Sequence, residues 1–165
     1  MPSPLGHALG AVAVGWVVGR RAWPGWHVAT AVYAAVGIAP DLDLLVGSHS
    51  TYTHSVGAVG LVFLAALAIS RRPRVAAAIA AAWASHLALD WLGSDTSPPI
   101  GVMALWPFTR EHYQSSFYVF DAISRRYWLP EQFVWGNLKA ALKEVLILGP
   151  VAAISYWLTR TLRRN

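Results

Sequence analysis

Hydrophobic positions along this chain gather into five long runs separated by short polar breaks. The runs are Leu5 to Gly19, Val28 to Ala39, Ser55 to Ser70, Val75 to Gly93 and Val145 to Leu158. Ala, Leu and Gly dominate them, the composition of helices packed closely together within a membrane. The third and fourth approach the roughly 17–25 residues that cross a bilayer as a helix. The first two are shorter and predict helices that are tilted, partly re-entrant or extended by the flanking Trp23 and Trp26. The fifth holds Pro150, which predicts a kink. An amphipathic stretch with Lys139, Lys143 and Glu144 precedes it, so its helix is expected to begin nearer Trp135. The fold expected is all-α, a single membrane-embedded domain over residues 1–165 built as a polytopic bundle of about four to five helices. The long connector Ser94 to Val134 carries Trp106, Phe108, Tyr113, Phe117, Tyr118, Phe120, Tyr127, Trp128 and Phe133. Aromatic side chains favour the headgroup level, so this connector is expected to form an aromatic-rich cap on the extracytoplasmic side.

Composition sharpens that picture. Of 165 residues, 56% are hydrophobic and 13% charged, against about 25% charged in an ordinary soluble domain. Intrinsic disorder is excluded, and a typical soluble enzyme is disfavoured. With no cysteine, a disulfide framework and thiolate metal sites are excluded as well. The net charge of +5 raises the question of nucleic acid, but the basic residues are not gathered on one stripe. Eight of the 13 Lys and Arg form three clusters at the ends of apolar runs: Arg20 and Arg21; Arg71, Arg72 and Arg74; Arg160, Arg163 and Arg164. That is positive-inside punctuation, so no nucleic-acid partner is expected. If each run crosses once, the clusters share the cytoplasmic side, the N-terminus lies outside and the C-terminus lies in the cytoplasm. A re-entrant hairpin of the first two runs preserves the same sidedness. Met1-Pro2-Ser3-Pro4 lacks the positive region of a cleavable signal peptide, so the first run is read as a retained helix.

The same topology, drawn from arginines alone, brings a set of unusual polar residues to the outer face. They are His7, Asp41 and Asp43 of Pro40-Asp41-Leu42-Asp43, His49, His54, and His86 with Asp90. The i, i+4 spacing of His86 and Asp90 puts both on one helix face. Asp41 and Asp43, two apart, would point the same way in an extended segment. An ionisable group in a spanning helix costs about 2.5–3.5 kcal/mol on insertion scales, and a divalent cation compensates several such groups at once. Carboxylate and imidazole ligands suit Zn first, with Mn or Fe also fitting; the ligand supply suits one to three ions. Taken singly, each group has an ordinary explanation. His86 and Asp90 would make an intrahelical pair, Asp41 and Asp43 a turn and cap, His54 a helix cap, and His7 a solvated terminal residue. A shared face argues for the joint reading. His27, beside Trp26, and His112 stand outside the set.

These strings, in order, resemble the YdjM/YbcI-like family of inner-membrane metal-dependent hydrolases. The resemblance rests on His7, Pro40-Asp41-Leu42-Asp43, His49 with Thr53-His54-Ser55, His86-Leu87-Ala88-Leu89-Asp90, and Gly101 with Leu105-Trp106-Pro107-Phe108. It covers about the first two thirds of the chain. Ser50 stands where that family commonly has Arg, so a phosphate contact from that position is not carried over. The family is distantly similar to zinc-dependent phospholipase C and the single-strand nucleases. The resemblance therefore implies a phosphoester hydrolase in which His7, Asp41, Asp43, His54, His86 and Asp90 hold metal. His49 would be a further ligand or an outer partner of the ligands; Asp43 or His49 would take a proton from the attacking water, and Arg110 would neutralise phosphate. Membrane lipid is the expected surrounding, and a lipid or lipid-linked phosphoester the expected substrate. The rival readings are a non-catalytic metal-stabilised scaffold or partner-binding subunit and an ion transporter. A metalloprotease is disfavoured because the chain has no His-Glu-x-x-His string. The oligomeric state is left open.

Overall fold

The computed structural model describes residues 1–20, 25–47 and 49–164, with side chains as far as Thr161. Arg21 and Trp23, and the side chains of Arg163 and Arg164, lie outside that description. Five α-helices are present among the described residues: α1 (Pro4–Val18), α2 (Trp26–Ile38), α3 (Val56–Ser70), α4 (Pro73–Trp91) and α5 (Asn137–Arg164). No strand forms among them; Gly93 with Phe120 and Val102 with Tyr113 make isolated bridges only. The all-α expectation holds at this level.

Local chemistry explains the boundaries. Ser3 caps α1 by accepting the Gly6 N–H, with Pro4 in the first turn, where a missing N–H costs nothing. Ser55 caps α3 through the Ala58 N–H at 3.1 Å, which relieves the preceding His54 of the capping role. Pro73 opens α4 in the same way as Pro4 opens α1. The fifth helix begins just after Trp135, through a single π-helical turn at Gln132–Gly136, and runs through Pro150.

The second run departs from expectation. It does not end at Ala39 but tightens there into a 3₁₀ helix, Ala39–Val46, which stops at Gly47 with φ 79°, a left-handed conformation that glycine adopts without a Cβ penalty. Asp41 and Asp43 are therefore helical rather than extended, and their carboxylates leave the backbone in different directions. The continuation also makes Trp26–Val46, at 21 residues, the one segment among those described that is long and apolar enough to cross a membrane. The sequence pattern had favoured the third and fourth runs for that part. However, α3 is only 15 residues long, and α4 has the length but carries Arg74, His86 and Asp90.

The central helix is α1, packed against α2, α4 and α5, with α3 on α4. Small residues make the packing close. A Cβ on Gly37 would fall 2.2 Å from that of Ala11 and 2.8 Å from the His7 carbonyl oxygen, so α2 and α1 touch almost backbone to backbone. Around the buried Tyr33, the core is Ala11, Val12, Ala29, Ala78 and Ala82. Large apolar side chains point the other way. Leu61, Leu64 and Ile69 on α3 and Leu146, Ile154 and Trp157 on α5 are 58–86% exposed, while five of the polar residues singled out above, His7, Asp43, His54, His86 and Asp90, are buried. An apolar exterior of this extent around a polar interior is foreign to soluble monomers.

Helices successive in the chain alternate in direction, with α1 and α5 parallel, which gives the bundle two chemically different ends. At one end lie the start of α1, the close of α2, the start of α3, the close of α4 and the start of α5. At the other, Thr159 donates to the Trp16 carbonyl at 3.2 Å, and the described arginines of the three basic clusters flank helix ends there. The irregular connector over residues 92–131 is tied to the first end. Val56 and Gly57 donate to the carbonyls of Ala104 and Trp106 at 2.8 and 2.9 Å, and Met103 donates to that of Ser50 at 3.0 Å. Of its aromatic residues Phe120 is buried, whereas Phe108, Phe117, Tyr127 and Trp128 are exposed.

Candidate metal centre

Two α-helices, α1 and α4, two 3₁₀ helices, Ala39–Val46 and Tyr52–His54, and the turn at His49 bring all seven histidines and aspartates of the sequence-derived cluster to that first end. Asp90, on the last turn of α4, lies at the centre. Its Oδ1 is 3.3 Å from His7 Nε2 on α1, and its Oδ2 is 3.3 Å from His54 Nε2 and 3.0 Å from His86 Nε2. The last pair is the i, i+4 face expected from spacing. The His54 and His86 Nε2 atoms face each other at 3.0 Å. Asp41 Oδ1 completes the ring, 3.8 Å from His54 Nε2 and 3.7 Å from His86 Nε2. Ligands at about 2.0–2.1 Å from a tetrahedral ion stand about 3.3 Å apart, which is the scale of these separations.

The far sides of the His54 and His86 imidazoles are held by partners that decide which nitrogen faces the ring. The His86 Nδ1–H donates to the Gly37 carbonyl at 2.7 Å, which the absence of a side chain on Gly37 allows to come close. The His54 Nδ1–H donates to the Thr53 hydroxyl oxygen at 2.9 Å, and that hydroxyl donates to Asp43 Oδ2 at 2.7 Å. Thr53 is fixed in turn by the Trp83 indole N–H on its carbonyl at 2.9 Å. Both Nε2 lone pairs are thus turned inward, as metal-binding imidazoles are oriented by an outer partner. The rings of His7 and His86 stack with centroids 3.7 Å apart.

Two observations describe a cluster whose donors could hold a cation. First, Asp90 is 1% exposed, and neither of its carboxylate oxygens, nor either nitrogen of His7, has a hydrogen-bond partner among the described residues. Close approach without hydrogen bonding is the mark of donors converging on a shared point, since a buried unsatisfied carboxylate is costly. Second, burial opposes a charge on His54, yet the carboxylates of Asp41, Asp43 and Asp90 outweigh it and push its pKa up to about 11. A positive charge at that nitrogen, whether from a proton or a metal ion, offsets the crowded carboxylates. Two groups of donors lie within 4.8 Å of one another and could each hold an ion: His7, His86 and Asp90; and Asp41, His49 and His54.

Asp43 and His49 play a different part from the ring. His49 Nδ1 is 2.9 Å from Asp43 Oδ1 and 3.9 Å from Asp41 Oδ1. His49 and Asp41 keep 16% and 18% side-chain exposure, whereas those of His7, His54, His86 and Asp90 have none, so the cluster opens towards solvent on the His49 side. Arg110 is exposed on the connector, and no contact joins it to the cluster among the described residues. His27 packs on Trp26 and, like His112, stays outside the site.

Three supporting residues carried no signal in the sequence. Met1 Sδ lies 3.1 Å from His49 Nε2. The buried Glu144 of α5 accepts the Ser3 N–H at 2.7 Å and the Ser3 hydroxyl, which sets the start of α1 and hence His7. Gly37 contributes only its carbonyl and its lack of a Cβ. A buried acid on an otherwise amphipathic stretch was the one available hint, at Glu144.

No curated protein and no solved structure matches the chain. A family model described as YdjM inner membrane protein matches residues 1–164, nearly the whole length and every residue of the cluster. With that extent of agreement, the chain belongs to the YdjM inner membrane protein family.

Proposed function

We propose that this protein is a polytopic membrane hydrolase that uses a zinc-type metal centre to cleave a phosphoester of a lipid or lipid-linked substrate. The single observation that carries the reading is the buried Asp90 carboxylate, ringed by three imidazole nitrogens at 3.0–3.3 Å with neither oxygen hydrogen-bonded. The apolar exterior of α3 and α5 supports embedding. Basic clusters at the end opposite the site support a cytoplasmic C-terminus and an extracytoplasmic centre. The exposed aromatic residues of the connector support a cap at the headgroups, through which a lipid substrate arrives laterally.

His7, Asp41, His54, His86 and Asp90 would hold one or two ions, with Asp43 as an outer partner of His54. A divalent ion bound there supplies Lewis acidity towards a phosphoryl oxygen and a water. The chain's own residues do the rest. Asp43 accepts the His49 Nδ1–H, so the His49 Nε2 lone pair, beside Met1 Sδ at the partly exposed edge, is the one that would take the proton from water. The buried ring excludes bulk water, which strengthens each charge within it.

Metal analysis of detergent-purified protein, followed by hydrolysis assays on lipid phosphoesters, tests the proposal. Stoichiometric zinc is expected in the wild type. Asp90→Asn is expected to lose most of the metal and to reduce hydrolysis at least a hundredfold while the helical content stays intact. Protein purified without metal, and unable to take it up, would overturn the reading. Full metal loading with no hydrolysis of any phosphoester would favour the scaffold instead.

A further inference from the structure

Beside the exposed edge of the cluster is a polar cavity of about 300 Å³. His49 forms part of one wall with Met1; Asp95, Arg125, Arg126 and Gln132 line the others. We propose that this cavity is an anion-binding chamber, in which Arg125 and Arg126 hold the phosphate group of a phosphoester against the His49 side of the metal centre. The proposal rests on the phosphoesterase reading only for its turnover arm.

Charge carries the argument first. Asp95, the cavity's carboxylate, is already engaged: one oxygen accepts the Ser97 N–H and the other the Gly101 N–H, both at 3.0 Å. It organises its own loop rather than neutralising the arginines. Neither Arg125 nor Arg126 has an ion pair among the described residues, where Lys143, the nearby cation on α5, is paired with Asp121 at 3.1 Å. Arg125 and Arg126, consecutive in the chain and both lining the cavity, thus keep their forked donors for an anion.

Placement carries it further. The arginines sit on an irregular segment, yet that segment is pinned. The Ser124 N–H donates to Asn137 Oδ1 at 2.6 Å, and the Asn137 side-chain amide donates back to the Ser124 carbonyl at 2.9 Å. The Ile123 N–H donates to the Met1 carbonyl at 3.2 Å. The first turn of α5 and the start of the chain therefore hold both arginines over the cavity, which opens beside the only edge of the cluster that meets solvent. A volume near 300 Å³ admits a phosphate and a small headgroup, while acyl chains would remain in the lipid outside.

The test uses the full-length protein in detergent and in nanodiscs. Binding of inorganic phosphate and of glycerol phosphate is followed by calorimetry, with metal content measured alongside; nanodiscs containing phosphatidic acid are compared with phosphatidylcholine alone. Saturable phosphate binding is expected, and the double variant Arg125→Gln/Arg126→Gln is expected to weaken it at least tenfold with metal content unchanged. Arg74→Gln, at the far end of the bundle, serves as the control and is expected to bind like the wild type. Competition by soluble phosphate marks a free phosphate as a ligand; retention of phosphatidic acid alone marks the lipid headgroup, and either outcome supports the chamber if the double variant abolishes it. Equal binding by wild type and double variant overturns the proposal. Hydrolysis that persists in the double variant with unaltered KM overturns the chamber and leaves the hydrolase standing; phosphate binding without any turnover does the reverse.

Discussion

Asp90 and His54 set the chemistry at the scale of single residues. Asp90 has nothing but imidazole nitrogens within reach, and His54 has carboxylates on both of its nitrogens. Because those carboxylates raise the His54 pKa to about 11, the metal-free protein carries a proton on that ring throughout the neutral range. A metal ion at Nε2 must displace it. Metal affinity is therefore expected to rise with pH, by about tenfold per unit between pH 6 and 9, since one proton leaves for each ion bound. Calorimetric titration of zinc in buffers of different ionisation enthalpy reads the released proton directly; affinity that is flat over this range would remove His54 from the ligand set. At this scale the sequence showed a good deal. Histidine and aspartate in an apolar chain are costly enough to be noticed without coordinates. The outer partners were not legible, because a backbone carbonyl, a threonine hydroxyl or a methionine sulfur belongs to a residue type that is unremarked almost anywhere.

At the scale of elements, the close of α2 decides how the site is assembled. The helix tightens at Ala39 and so carries Asp41 and Asp43 onto different bearings, one towards the ring and one towards His49 and Thr53. The same helix must lie against α1 closely enough for the Gly37 carbonyl to reach His86. Gly37→Leu would place a side chain where Ala11 and His7 already stand. We expect it to cost about 1–3 kcal/mol through overpacking and to release His86 Nδ1 from its acceptor. The expected outcome is a lower thermal midpoint together with reduced metal content; Gly60→Leu, at a glycine with open space around it, is the comparison and should change neither. A Gly37→Leu protein with wild-type stability and full metal would show that α2 has room to move. The helices were legible from the apolar runs, although the sequence offered His54 as the cap of α3 where the structure uses Ser55. The 3₁₀ continuation was not, since Pro-Asp-Leu-Asp also suits a turn.

At the scale of the whole molecule, the alternation of successive helices separates an end rich in histidine and aspartate from an end rich in arginine, with apolar side chains turned outward between them. The orientation proposed here has a direct measurement. The natural chain has no cysteine, so single cysteines report without background. Ser97→Cys, beside the cavity, is expected to react with a membrane-impermeant maleimide in intact cells, and Ser70→Cys, at the close of α3, only after permeabilisation. The opposite pattern would invert the sidedness while leaving the metal centre in place.

The pattern of apolar runs, the caps and the placement of arginines follow from interactions between residues close along the chain or between a segment and its solvent. For that reason the all-helical fold, the association with a membrane and the identity of the cluster's histidines and aspartates could be read before any coordinates. What the chain's order could not convey was distance across the bundle. The meeting of His7, Asp41, His54, His86 and Asp90 within one ring, the support from Glu144 and the cavity that His49 shares with Arg125 and Arg126 all join residues tens of positions apart. Such contacts exist only once small side chains have let the helices close on one another, because the packing sets the register in which each polar group arrives.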